Sequence, residues 1–219
     1  MLARTPHVRR LPRNRVQLSS IDVIASALEP TLPDLLADMG GMSSPDGALT
    51  LMVSDIGNAE SVEQTLGPDR WGQLLRDHQV LTGQVVGHHD GEVVRVERDG
   101  FMARFNSAHG GLRCAIELQR TLSSESEEAI KIRMGLNSGF VIANPGELLG
   151  RNVVLAARIA AQATGGEILV SSALKAYTER EPTFRFEARG EFHFKGMVGE
   201  HTVYAVRWQR LVHGPSDAP

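Results

Sequence analysis

Residues 50–57 read TLMVSDIG and residues 89–105 read HDGEVVRVERDGFMARF, and these two stretches decide the fold. The first is a short, mostly apolar run, typical of a strand that is buried on both faces, and Asp55 follows it. The second holds two strand-like runs, Gly91–Val96 and Phe101–Phe105, which meet at Asp-Gly, a favoured hairpin turn. We therefore predict a buried strand and a hairpin, each ending at an aspartate.

The chain around these stretches alternates between helical and extended patterns. Glu60–Val86 has apolar residues at helical spacing that break at Gly67-Pro68, which predicts two helices or one interrupted helix. Further helices are predicted over Ser107–Leu122 and Val153–Gln162, and further strands over Ile130–Asn137, Ile168–Val170 and within Phe184–Trp208. This order favours an α/β fold (an α+β sandwich) with a split βαβ, ferredoxin-like sheet flanked by helices.

Composition excludes several classes of protein. The 219 residues carry a net charge of −3, which predicts no strong attraction to nucleic acid or to an anionic membrane. Their one cysteine, Cys114, cannot form an internal disulfide and lies in a helical pattern, as expected of a small buried residue. No apolar stretch approaches the roughly 20 residues that span a bilayer. We expect a cytoplasmic protein with no nucleic-acid partner and no direct membrane insertion.

Residues 1–47 are predicted to form a disordered basic leader, a short helix and a linker. The arginine-rich start has no apolar segment after it, so a secretory signal is not expected; a membrane-surface or nucleic-acid arm is the alternative to a disordered leader. Ser20 is predicted to cap a helix from Ile21 to Leu28, with Asp22 in its first turn. The folded domain is predicted over 48–208, followed by a disordered tail at 209–219.

Asp55 and Asp99 are the candidate metal ligands. In a split βαβ sheet the first strand and the hairpin are neighbours, so the two carboxylates would share one cleft. Together with a backbone carbonyl near Ile56 and substrate phosphates, they suit Mg²⁺, and a pair of ions would favour displacement at phosphorus. Ordinary turn chemistry at Asp99 and helix capping at Asp55 are the alternatives.

Further motifs extend this pattern: RMGLNSG at 133–139, GRNVVLAAR at 150–158 and GEFHFKG at 190–196. In their order and spacing, from about Thr50 to Val206, the motifs resemble those of bacterial class III adenylyl/guanylyl cyclase catalytic domains. The resemblance implies the class III nucleotidyl cyclase fold and conversion of ATP to cyclic AMP and pyrophosphate. It also implies two Mg²⁺ or Mn²⁺ ions per site, held by Asp55, Ile56 and Asp99.

The same resemblance implies roles for two basic residues. Arg158 matches the arginine that stabilises the transition-state phosphate, a role that suits a planar, permanently charged guanidinium. Lys195 matches the lysine that contacts the triphosphate. The family's sites lie at a dimer interface, so a homodimer, or a heterodimer with another cyclase chain, is implied.

The substrate-binding positions depart from the family pattern. Arg95 replaces a lysine and Glu147 an aspartate that read adenine; both keep their charge sign, and they could pair with each other. Val154 replaces the asparagine that orients the ribose, and Asn152 is expected to point elsewhere because i and i+2 do not share a helix face. Loss of one such donor costs about 10²–10³ in rate, which predicts a slow enzyme.

The metal end carries smaller changes. Arg98 replaces a glycine before Asp99, where a positive φ or close packing is expected. Asn58, Ala59 and Glu60 replace a Gly-Ser-Thr pattern, and Glu60 adds negative charge. Two hypotheses follow: a slow adenylyl cyclase, or a catalytically inactive cyclase-like module for dimerisation or nucleotide binding. The eight histidines lack metal-binding spacing and are expected at the surface.

Overall fold

The structure is a computed structural model that describes residues 19–28, 48–123, 130–144 and 147–209. The predictions for residues 1–18, 29–47, 124–129 and 210–219 lie outside the described residues. In chain order the elements are α1 (Ser20–Leu28), β1 (Leu49–Ile56), α2 (Ala59–His88), β2 (Gly91–Glu97), β3 (Gly100–Phe105), α3 (Ala108–Leu122), β4 (Ile132–Gly139), β5 (Ile142–Asn144), β6 (Glu147–Leu149), α4 (Arg151–Ala160), β7 (Ile168–Ser171), α5 (Ser172–Thr178), β8 (Phe186–Phe192) and β9 (His201–Val206).

Seven strands form one mixed sheet in the order β2-β3-β1-β4-β7-β9-β8, and β5 and β6 form a separate hairpin. Strand β1 lies between β3 and β4 and is antiparallel to both, with Asp55 opposite Arg133. Strand β4 runs parallel to β7. The predicted fold class is confirmed: helices flank a mixed sheet, and β1 and the β2–β3 hairpin end at the same edge.

Helices cover both faces of the sheet because the residues of β1 alternate between two cores. Met52 and Ile56 pack on the face that α2, α3 and α5 cover. Leu51 and Val53 pack on the opposite face against α1 and α4. Since successive strand residues point to opposite faces, Asp55 belongs to the α1 and α4 face.

The break predicted in the long helix is confirmed. Gly67 has φ 74° and ψ 168° inside α2, directly before Pro68, so the helical conformation is interrupted there. Proline lacks a backbone N–H and disfavours a helical residue before it, and glycine tolerates the positive φ.

Helix α1 packs into the same core as the sheet, and the structure corrects its predicted cap. Ser19, not Ser20, precedes the first helical residue: the Ser19 carbonyl accepts from the Val23 N–H at 3.0 Å. The Ser19 hydroxyl accepts from the Asp22 N–H at 3.2 Å, and the Asp22 carboxylate accepts from the Ser19 N–H at 3.1 Å. This reciprocal cap leaves the Ser20 side chain available for another contact.

A short helix and a small hairpin are missing from the sequence-based prediction. Helix α5 has only seven residues, and β5 and β6 have three each, so each is too short to show a period. The predicted helix over Val153–Gln162 is observed two residues earlier, at Arg151–Ala160.

Candidate active site

Asp55 and Asp99 line one cleft, as predicted from the neighbouring ends of β1 and the hairpin. The cleft has a volume of about 180 Å³ and lies between the sheet edge, the start of α2 and the first residue before α1; its lining includes Ser19, Asp55, Ile56, Gly57, Glu60, Glu63, Trp71, Arg98, Asp99 and Arg133. A Cβ placed on Gly100 would lie 3.2 Å from the Asp55 Cβ and 2.7 Å from the Ser54 carbonyl oxygen. Glycine at this position therefore lets the hairpin tip approach the end of β1.

Asp55 forms a two-pronged ion pair with Arg133. The Arg133 Nε donates to Oδ1 at 2.6 Å and Nη2 donates to Oδ2 at 2.9 Å. The Asp55 side chain is 1% exposed and that of Arg133 is 21% exposed. The hydrogen bond that Arg133 donates to Asp55, together with the charges of Asp55, Asp22 and Asp99, raises the pKa of Arg133, although burial opposes this. The Arg133 guanidinium therefore binds both oxygens of the carboxylate that the sequence predicts as a metal ligand.

The turn between β2 and β3 consists of Arg98 and Asp99, one residue earlier than the predicted Asp-Gly turn, because Gly100 already belongs to β3. Arg98 has φ 46°, so the position does require the left-handed conformation for which a glycine was expected. The Ser20 hydroxyl donates a hydrogen bond to Asp99 Oδ1. Helix α1 therefore reaches the second predicted metal ligand.

The loop from Asp55 to α2 closes the other side of the cleft. The Gly57 N–H donates to the Lys131 carbonyl at 2.8 Å, and Asn58 Oδ1 accepts from the Lys131 N–H at 2.8 Å, so the loop is fixed to the start of β4. The N-terminus of α2, which begins at Ala59, lies at the cleft and favours anions there. Glu60 lines the cleft, and its negative charge counteracts that preference.

These residues fit a divalent cation of the Mg²⁺ or Mn²⁺ type. Two carboxylates and the main chain at Ile56 border one small polar cleft, and oxygen donors are what these ions prefer. Arg133 already places one positive charge on Asp55, so this carboxylate is paired with a cationic group. Asp55 and Asp99, with the Ile56 carbonyl, would hold the ions.

Of the predicted purine-binding residues, the structure describes the side chain of Arg95 but not that of Glu147. Arg95 donates from Nε and Nη2 to Glu97 Oε1 at 2.9 and 2.8 Å, so its described partner is the next residue on the same strand face. Glu147 begins β6, opposite Asn144, but its side chain lies outside the described part of the structure. The pairing of Arg95 with Glu147 stays a prediction.

The remaining predicted site residues lie on α4 and in the β8–β9 loop. Val154, on α4, is buried in the core that α4 shares with α1 and β1. Asn152 is occupied structurally, since its Nδ2 donates to the Phe140 carbonyl at 2.8 Å and its Oδ1 accepts from Asn137 at 3.1 Å. Arg158 lies in the last turn of α4, and Lys195 is exposed in a turn between β8 and β9. Neither residue is among those that line the Asp55 cleft.

One further group of metal-capable side chains lies at the end of α2. His89 Nε2 is 2.8 Å from Glu117 Oε2, and His88 Nδ1 is 3.8 Å from Glu117 Oε1. The His88 side chain is 75% exposed, as expected for the histidines. The expectation is wrong for His78, which lies on the buried face of α2 and is 5% exposed. These contacts join α2 to α3.

Comparison with known proteins identifies the class. Residues 42–207 match the family model of the adenylate and guanylate cyclase catalytic domain, and the chain belongs to this family. It is 29% identical over 154 residues to "Putative adenylate cyclase 3" of Rhizobium meliloti, covering 68% of this chain and 25% of that protein. It is also 29% identical over 165 residues to an uncharacterized protein of Mycobacterium tuberculosis, covering 74% and 50%.

The fold is shared with solved cyclases. The crystal structure of the adenylyl cyclase CyaB from P. aeruginosa superposes with a TM-score of 0.66 at 20% identity, covering 77% of this chain and 97% of that one. The chain spans a quarter to a half of the two curated relatives named above. Within the described residues, every helix is too short or too polar to cross a membrane.

Proposed function

We propose that this domain converts ATP to cyclic AMP and pyrophosphate at a composite dimer site, at a low rate. In this reaction the ribose 3′-oxygen bonds to the α-phosphorus, the bond from that phosphorus to the bridging oxygen of the β-phosphate breaks, pyrophosphate leaves, and the proton of the 3′-hydroxyl passes to water. The observation that carries the proposal is the convergence of Asp55 and Asp99 on one cleft at the N-terminus of α2.

Each residue of the cleft supports a distinct part of this chemistry. Two divalent ions, when bound, supply charge stabilisation at the attacking and leaving oxygens. Asp55 and Asp99 hold the ions, and the first turn of α2 orients the phosphates with its free N–H groups. Arg133 lines the cleft, and its guanidinium would donate to phosphate oxygens if a metal ion took its place on Asp55.

The second subunit completes the site in this proposal. Arg158 stabilises the charge that develops on the α-phosphate, and Lys195 contacts the triphosphate. Neither residue lines the Asp55 cleft of its own subunit, which supports donation from a second subunit. Arg95 and Glu147 keep the charges of an adenine-reading pair, so ATP is preferred over GTP. Val154 offers no hydrogen bond to the ribose, which makes the enzyme slow.

The test is turnover of ATP by the purified chain with Mn²⁺, measured as cyclic AMP by mass spectrometry. GTP is run in parallel. Asp55→Asn abolishes the product, because it removes one charged metal ligand without changing size. Asp77→Asn is the matched control: Asp77 is an exposed aspartate of α2 that accepts a hydrogen bond from Gln73, and its loss leaves the rate unchanged.

Product formation that is equal in wild type and Asp55→Asn contradicts the proposal. Nucleotide binding without any product would instead support the regulatory, catalytically inactive module. A preference for GTP would overturn the assignment of the substrate but not of the reaction.

A further inference from the structure

The N-terminal end of helix α1 closes the metal cleft. Ser19 lines the cleft, and the Ser20 hydroxyl donates to Asp99. The Ser20 Cβ lies 2.7 Å from the place that a Cβ on Gly100 would take, so α1 touches the hairpin tip itself. The Ser20 side chain is almost completely buried in this contact.

An apolar face holds α1 in this position. Ile21 and Ile24 are 0% exposed, and they share a core with Leu51 and Val53 of β1. The same core contains Val154 of α4, the residue at the ribose position of the proposed site. Docked α1 therefore covers the sheet face on which the site is built, in addition to its contact with Asp99.

Helix α1 also changes the charge of the cleft. The Asp22 carboxylate acts on the Arg133 guanidinium through its charge, in addition to the larger effect of Asp55. This third negative charge near the ion pair helps to keep the Arg133 guanidinium on Asp55. With α1 docked, Asp55 is engaged by Arg133 and Asp99 by Ser20, so both metal carboxylates carry protein partners.

We propose that α1 is a built-in regulator of the cleft, which must withdraw its N-terminal turn from Asp99 before metal and nucleotide bind. The inference rests on the proposed function, whose regulation it describes. In the docked state the Ser20 hydroxyl competes with metal for Asp99. In the released state Asp99 is open to the ion, and the face of α4 that carries Val154 is uncovered.

The direct test is metal affinity, measured on the full chain as free Mn²⁺ by electron paramagnetic resonance, without nucleotide or turnover. Ser20→Ala removes one oxygen and leaves the buried isoleucines unchanged, so the fold is retained. We expect it to bind Mn²⁺ about tenfold more tightly, as follows from the loss of a competing hydrogen bond to a charged group. Ser172→Ala, an exposed serine of α5 outside the cleft, is the control and leaves the affinity unchanged. Equal or weaker binding by Ser20→Ala overturns the proposal.

A second pair of variants tests the docking of the helix. Ile24→Asp puts a charge on the buried face of α1, and Ser26→Asp puts the same charge on its exposed face. Ile24→Asp raises Mn²⁺ affinity and speeds amide exchange over 20–28, whereas Ser26→Asp does neither. In the wild type, Mn²⁺ itself speeds exchange in this segment; unchanged or slower exchange contradicts the proposal.

The two proposals fail separately. Tighter Mn²⁺ binding by Ser20→Ala in a chain that makes no cyclic AMP supports the regulator and refutes the enzyme. Cyclic AMP production with no effect of Ser20→Ala on Mn²⁺ affinity supports the enzyme and refutes the regulator.

Discussion

The buried ion pair between Asp55 and Arg133 gives the sharpest test of the cleft through stability. In Arg133→Met the apolar stem is kept, but a carboxylate with 1% exposure loses its cation. Breaking a buried pair costs about 3–5 kcal/mol, and we expect about 3 kcal/mol because Arg133 is partly exposed. The midpoint of thermal unfolding should fall by roughly 6–12 °C for a chain of this size.

Mn²⁺ should then rescue this variant, since a metal ion supplies the missing charge. At a hundred times its dissociation constant it returns about 2.7 kcal/mol, whereas wild type gains less because Arg133 competes. Adding Asp55→Asn to Arg133→Met should also restore most of the lost stability. Arg104→Met breaks the exposed pair with Glu92 and is the control, with an expected loss below about 1 kcal/mol. Urea unfolding with and without Mn²⁺ decides this: a loss below about 1 kcal/mol in Arg133→Met, or no rescue by Mn²⁺, would refute the reasoning.

Three further predictions concern other residues. Burial lowers the pKa of His78 to about 4, so the free energy of unfolding is highest above pH 6.5, where His78 is neutral in both the folded and the unfolded chain. About 3 kcal/mol of this free energy is lost as the pH falls from 6.5 to 4. His78→Leu removes this pH dependence in urea unfolding, and a retained dependence contradicts the prediction. A Cβ on Gly135 would lie 2.1 Å from the Ala160 backbone nitrogen, so Gly135→Ala destabilises the fold by about 3 kcal/mol or prevents folding. A Cβ on Gly83 of α2 meets nothing within 4 Å, so Gly83→Ala stabilises the fold by about 0.5–1 kcal/mol. Equal effects of the two variants in thermal melts would contradict this. Val154→Asn and Val153→Asn both place an amide in the same buried core and lose stability. Only Val154→Asn raises the rate of cyclic AMP formation, by about 10-fold or more, because it restores a ribose donor; equal rates in the two variants would count against the ribose assignment.

The positions of Asp55 and Asp99 in the cleft can be predicted from the sequence because each aspartate is marked by a local pattern of neighbouring residues. The apolar run that ends at Asp55 and the Asp-Gly turn at Asp99 each identify one strand end, and the sheet type then brings them together. The helix break at Gly67-Pro68 is predicted for the same reason, since glycine and proline act on the chain next to them.

The contacts that close the cleft depend on register and long-range packing. Arg133 stands in a recognised motif, but only the pairing of β1 with β4 places it opposite Asp55, 78 residues away in sequence. A basic residue near the start of a strand that pairs with β1 was the available signal, because opposite charges are favoured across antiparallel strands. Ser20 gave a weaker signal: it reads as a helix cap, and Ser19 takes that role.

The central claim is that Asp55 of one subunit and Arg158 of the other form one active site. The most direct measurement mixes two inactive variants, Asp55→Asn and Arg158→Ala, after dissociation and reassembly, and follows cyclic AMP from ATP and Mn²⁺. A mixed dimer would contain one site with both changes and one intact site, so equal mixing predicts about a quarter of the wild-type rate. A mixture no more active than either variant alone, with wild type active, contradicts a site shared between subunits.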